Sequence, residues 1–73
     1  MVALVGLRQA RQQAAMSQQE LSVAAGVRQA TISQLEIGAT RARPTTVRRL
    51  AQALGVAPVV LQKQPGGAGE QAR

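Results

Sequence analysis

The sequence predicts an all-α fold, a compact five-helix domain, and three observations carry that expectation. The chain of 73 residues contains no Phe, Trp or Tyr, and the alternating Val, Ile and Tyr-rich runs of strands are missing. Ala, Leu, Gln and Arg dominate instead, and all are good helix formers. Apolar residues recur at three- and four-residue spacing between stop signals at Gly26, Gly38 and Gly55. A chain this short holds one small domain with a thin core.

The first helix is expected over about 3–15, with Leu4, Leu7, Ala10, Arg11 and Ala14 near one face. Gly6 weakens its start, so its first turn is expected to fray. Met16 follows as a flexible filler under the next element. Ser17 and Glu20 form an S-x-x-E capping box, in which each side chain satisfies a backbone N–H of the other. They open a second helix over about 18–25, with Leu21, Ala24 and Ala25 inward. Gly26 stops it, and Val27 seals the turn.

The third helix is expected over about 29–37, with Ile32, Leu35 and Ile37 as its core stripe. Gln29, Ala30, Ser33 and Gln34 form the opposite surface. Solvated helices usually carry Lys and Glu pairs, and this one has no Lys. After Gly38 the segment ATRARP reads as a basic loop whose exit Pro44 fixes. Thr45 is the expected N-cap of a fourth helix over about 46–54, with Val47, Leu50, Ala51 and Leu54 inward and Gly55 as its stop. Pro58 starts a short fifth helix over about 58–62. Its Val59, Val60 and Leu61 are either core or a dimer contact. The helical domain then occupies 1–62, and the Gly-rich tail 63–73 is expected to be disordered.

The formal net charge is +6, from nine basic and three acidic residues, and eight of the nine bases are Arg. A planar guanidinium suits phosphate and guanine, although a basic balance alone is weak evidence for nucleic acid. The absence of Cys excludes a disulfide framework and a thiolate metal site. No apolar run approaches membrane-spanning length, and MVALVGL is followed at once by Arg8 and Arg11. The expected compartment is the cytoplasm, with no membrane partner.

Two helices joined by a Gly-containing turn are a helix-turn-helix signature. From Leu7 to Leu61 the chain resembles the lambda-repressor-like (Xre-type) helix-turn-helix family. The most telling pieces are SQQELSVAAGV, TISQLEIG, RP and LAQALGV, at the family's usual separations. The resemblance implies that Gln18 contacts a DNA phosphate, aided by the amides of its helix N-terminus. It implies that Arg28, Gln29, Ala30, Ser33 and Gln34 face base edges in the major groove, where Gln pairs with adenine and Arg with guanine. Thr31 then lies beside the sugar-phosphate backbone, and Arg41 and Arg43 lie along a phosphate strand. Arg11 pairs with Glu36, tying the first helix to the recognition helix. In a Gln-rich chain composition alone also accounts for Gln29 and Gln34 as surface amides, and for Arg41 and Arg43 as solvated charges.

Two departures stand out. Arg28 occupies a position where Ser or Thr usually caps the recognition helix, a loss of about 1 kcal/mol. Arg48 and Arg49 replace the acidic or neutral residues common there, and either extend the basic face or are solvated.

The resemblance implies a sequence-specific transcriptional regulator of double-stranded DNA, of repressor type and of bacterial, phage or plasmid origin. It would act as a homodimer on a palindromic operator with half-sites about one helical turn apart. The alternative is a protein-interaction module on the same fold, an antitoxin or adaptor bound to a toxin or another protein. The short tail without apolar anchors counts against it. An enzyme is a poor third. The chain lacks His, Cys and Tyr, and Glu20 and Glu36 have structural roles, so acid–base and metal chemistry lack their residues. No cofactor is expected, and there is no room for a small-molecule effector pocket.

Overall fold

The computed structural model describes residues 1–63. They form five helices: α1 (Leu7–Gln13), α2 (Gln18–Ala25), α3 (Gln29–Glu36), α4 (Pro44–Leu54) and α5 (Pro58–Gln62). Every helix contributes to one core, in which Leu4, Leu7, Leu21, Ile32, Leu35, Leu50 and Leu61 are fully buried. α2 packs on α3 and α4, α5 on α4 and α1, and α1 on α3. The third helix is thus held from one side by α2 and α1, which leaves its other side open.

Local chemistry explains most of the ends. Ser17 Oγ accepts the Glu20 N–H at 3.0 Å, and Glu20 Oε1 accepts the Ser17 N–H at 2.8 Å, completing the capping box. Gly26 takes a left-handed conformation (φ +69°) that a side chain would strain. The turn then closes through the Val27 N–H to the Ser22 carbonyl and the Ser22 hydroxyl to the Val27 carbonyl. That closure sets the angle at which α3 leaves α2.

The first helix departs most from the expected 3–15. It begins at Leu7, because Val2 before it is paired elsewhere and Val5–Gly6 form a turn. Val2 and Ala42 exchange both backbone hydrogen bonds, each 2.8 Å long. Leu4 enters the core from this non-helical segment rather than from a helix face. Gly6 is buried instead of frayed, and its N–H donates to the Leu61 carbonyl at 2.9 Å. A Cβ there would lie 2.5 Å from the Val60 carbonyl oxygen and 2.6 Å from that of Lys63. Glycine therefore lets the end of α5 lie against the start of α1. At its other end the helix stops at Gln13, and Ala15 takes φ +58°. The Met16 N–H returns to the Arg11 carbonyl and that of Ala15 to Gln12, a Schellman closure with alanine in the position glycine favours. Ala14, expected inward, is exposed.

Smaller corrections follow from the same accounting of ends. The fourth helix starts at Pro44 with Arg43 as its N-cap, so Thr45 lies inside the first turn. Proline has no N–H to leave unpaired there, and its φ is preset for a helix. Ile37 is 74% exposed, because α3 ends at Glu36 and Gly38 turns the chain away. Ala24 is exposed, which leaves Leu21 and Ala25, one turn apart, as the buried pair of α2. Leu61 is core, while Val59 and Val60 are exposed, so only those two remain on the surface as candidate dimer contacts. The tail beyond Lys63 lies outside the described residues. No helix among the described residues is long and apolar enough to cross a membrane.

Candidate nucleic-acid interface

The open side of α3 is built by helical periodicity. Ile32 and Leu35 point into the core. Arg28, Gln29, Ala30 and Gln34 are exposed on the other side, and Thr31 and Ser33 are half-buried at its margins. Arg28 is the N-cap, with extended backbone, and no side chain caps the first-turn N–H groups. An exposed guanidinium therefore stands beside open amides at the positive end of the helix dipole.

A half-buried polar cluster fixes the orientation of this helix. Glu36, the last residue of α3, accepts Arg11 Nε at 2.6 Å on Oε2 and Arg11 Nη2 at 3.1 Å on Oε1. Oε1 also accepts Gln18 Nε2 at 3.0 Å. Arg11 Nη1 donates to the Met16 carbonyl at 2.8 Å. The side chains are 12% and 3% exposed for Arg11 and Glu36, so the pair is largely shielded from solvent although both residues are half-buried. One carboxylate thus joins α1, the first residue of α2 and the end of α3.

Burial pushes the Glu36 carboxyl up. Hydrogen bonds from Arg11 and Gln18, with the charges of Arg11 and Arg8, outweigh it and hold the group below its ordinary value. Arg11 is held charged more firmly than usual, chiefly by its hydrogen bond to Glu36, against desolvation.

The expected Arg11–Glu36 pair is therefore present. The bond from Gln18 to the same carboxylate is a contact the sequence does not suggest. A carboxylate accepts only donors, so the Gln18 amide must turn its NH₂ toward Glu36. One N–H of that group remains for another acceptor.

The basic loop adds a second surface. Ala42 is 3% exposed, while Arg41 and Arg43 on either side of it are exposed. Arg8, Arg48 and Arg49 are also exposed. Among the described residues Arg11 is the only cation in an ion pair.

The family model described as helix-turn-helix matches residues 7–61. The chain belongs to the Xre, lambda-repressor-like helix-turn-helix family. This Xre-type domain is a DNA-binding transcription regulator whose partner is double-stranded DNA. No curated protein and no solved structure matches the chain. The family match begins at the first residue of α1, so the segment that pairs with Ala42 through Val2 lies before it.

Proposed function

We propose that the protein is a sequence-specific transcriptional repressor that reads the major groove with α3 as a homodimer on a palindromic operator. The observation that carries the reading is the open face of α3. It presents Arg28, Gln29 and Gln34 to solvent while Ile32 and Leu35 anchor the helix in the core. The one carboxylate of that helix is turned inward onto Arg11. The reading side is therefore free of negative charge.

Roles divide by chemistry. Gln29 and Gln34 suit adenine edges, Arg28 suits guanine, and Ala30 and Ser33 are small enough to let the helix seat deeply. Gln18 contacts a phosphate through its remaining N–H, with Thr31 beside the sugar-phosphate backbone. Arg41 and Arg43 contact phosphates of the flanking strand. Exposed Val59 and Val60 on α5 are the surface for a second copy. Two copies on half-sites about one helical turn apart multiply the few base contacts that one small domain makes.

The test is a gel shift against selected duplexes with excess random DNA at raised salt. Sequence preference supports the reading, and equal affinity for all duplexes refutes it. Gln29→Ala relaxes base preference with little change in the salt dependence of binding. A salt slope that changes as much as the base preference overturns this division of roles.

A further inference from the structure

We propose that residues 2–6 are a positioning segment for DNA binding, holding the Arg41–Arg43 loop so that both guanidinium groups face the phosphate backbone. The inference rests on reading Arg41 and Arg43 as phosphate contacts. The segment lies before the family match at 7–61.

Three fixed points define it. At one end Val2 and Ala42 exchange both backbone hydrogen bonds, 2.8 Å each. In the middle Leu4 is fully buried in the core. At the other end the Gly6 N–H donates to the Leu61 carbonyl at 2.9 Å. The segment therefore straps the loop between α3 and α4 to the helical body.

The consequence for the loop follows from extended-chain geometry. Successive side chains of a strand alternate in direction, at a rise of about 3.3 Å per residue. The two bonds from Val2 hold Ala42 extended with its side chain turned inward. Arg41 and Arg43 must then project together to the other side, about 6.6 Å apart along the chain. Val2 is the backbone partner of both Ala42 polar groups. Without it the connection from Ile37 to Arg43 samples other conformations, and the entropy cost of ordering two long exposed side chains on DNA exceeds what their phosphate contacts return, so those contacts are lost.

Val2→Pro removes the N–H that the Ala42 carbonyl accepts. Ala3→Pro is its control: the Ala3 N–H makes no bridge bond, and a proline at that position favours extended backbone at Val2. The readout is the slope of log K against log salt on the preferred duplex, in full-length protein. That slope changes by about 0.9 per phosphate contact, so Arg41→Ala with Arg43→Ala flattens it by about 1.8 per protomer.

Val2→Pro is expected to flatten the slope by a similar amount, to add little on top of the double arginine variant, and to leave Ala3→Pro at the wild-type slope. Partial unfolding lowers the observed K by the folded fraction, which itself rises with salt in so basic a chain, so that fraction is measured by circular dichroism at each salt concentration and divided out. If Val2→Pro alone melts below the assay temperature, the comparison is made in an Ala15→Gly background. A Val2→Pro slope equal to that of wild type, with the arginine variant flattened, overturns the positioning role alone. An unchanged slope in the arginine variant overturns the phosphate reading, and this inference with it.

Discussion

Arg11→Met is the perturbation the interior cluster makes most informative. Methionine keeps much of the aliphatic packing and removes the guanidinium. The Glu36 carboxylate, 3% exposed, would then retain one donor, Gln18 Nε2 at 3.0 Å. Breaking a fully buried pair in this way costs about 3–5 kcal/mol, and this half-buried one stands at the lower end of that range. The Met16 carbonyl also loses its donor, roughly 1 kcal/mol more. Small domains are stable by only about 0.05–0.15 kcal/mol per residue, so a loss of that size removes most of the fold's margin.

At about 4–8 °C per kcal/mol the midpoint falls by more than about 15 °C at pH 7, read by circular dichroism. Arg11→Met with Glu36→Leu removes both charges and the desolvation penalty with them, and is expected to melt only about 1 kcal/mol below wild type, the share of the Met16 carbonyl that still lacks its donor. The two variants also differ in acid. The folded-state pKa of Glu36 is depressed, so its contribution is fully present above the unfolded value of about 4.3 and is lost as pH falls through the folded value. Wild type should lose stability below about pH 5 through this group, and the double variant should lack that component. A single variant within about 1 kcal/mol of wild type, or a double variant as weak as the single, refutes the reasoning.

Gly6→Ala forces a Cβ to within 2.5 Å of the Val60 carbonyl oxygen, so the end of α5 must lift and expose Leu61. A loss of about 2 kcal/mol or more is expected in urea melts, whereas a gain from the reduced freedom of the unfolded chain alone would show that the close approach is not needed. Ala15→Gly relieves a left-handed alanine and should stabilise the fold by about 0.5 kcal/mol, the residue of strain removed less glycine's entropy; a lower midpoint contradicts the turn geometry. Arg28→Ser supplies the missing cap of α3 and should raise stability by about 1 kcal/mol while weakening DNA binding. Melting and gel-shift assays that move in the same direction would refute the assignment of Arg28 to DNA.

What is legible in the sequence is what short-range chemistry decides. The capping box at Ser17 and Glu20 and the glycine after Ala25 bound α2 at Gln18–Ala25, as their spacing predicts. The sorting of α3 into a buried Ile32–Leu35 side and an open Gln29–Gln34 side follows from helical period alone. The first helix is misread because Leu4 falls at helical spacing from Leu7, yet its segment is held by Ala42, far along the chain, and periodicity carries no trace of such a partner. Gly6 is misread for the same reason, since the carbonyls it admits belong to α5. At the start of α4 two local signals compete, and the fixed φ of Pro44 prevails over the capping side chain of Thr45. Within the site, the tie from Gln18 to Glu36 joins residues on different helices and has no local signature.

The placement of acid explains how so basic a chain can keep its cations available. Among the described residues the carboxylates are Glu20 and Glu36. Glu20 accepts the Ser17 N–H, and Glu36 is turned inward to Arg11 and Gln18. Had these acids stood one turn from arginines on exposed faces, each pair would have added a few tenths of a kcal/mol of helix stability. Each would also have neutralised a guanidinium that a phosphate could otherwise meet. Turning one carboxylate inward instead concentrates its effect on the junction of α1, α2 and α3, where it orients α3, and leaves the outer field positive. The self-repulsion that results is small between charges exposed to water, and a polyanion relieves it. The same arrangement that costs the free protein a little stability therefore favours the DNA-bound form.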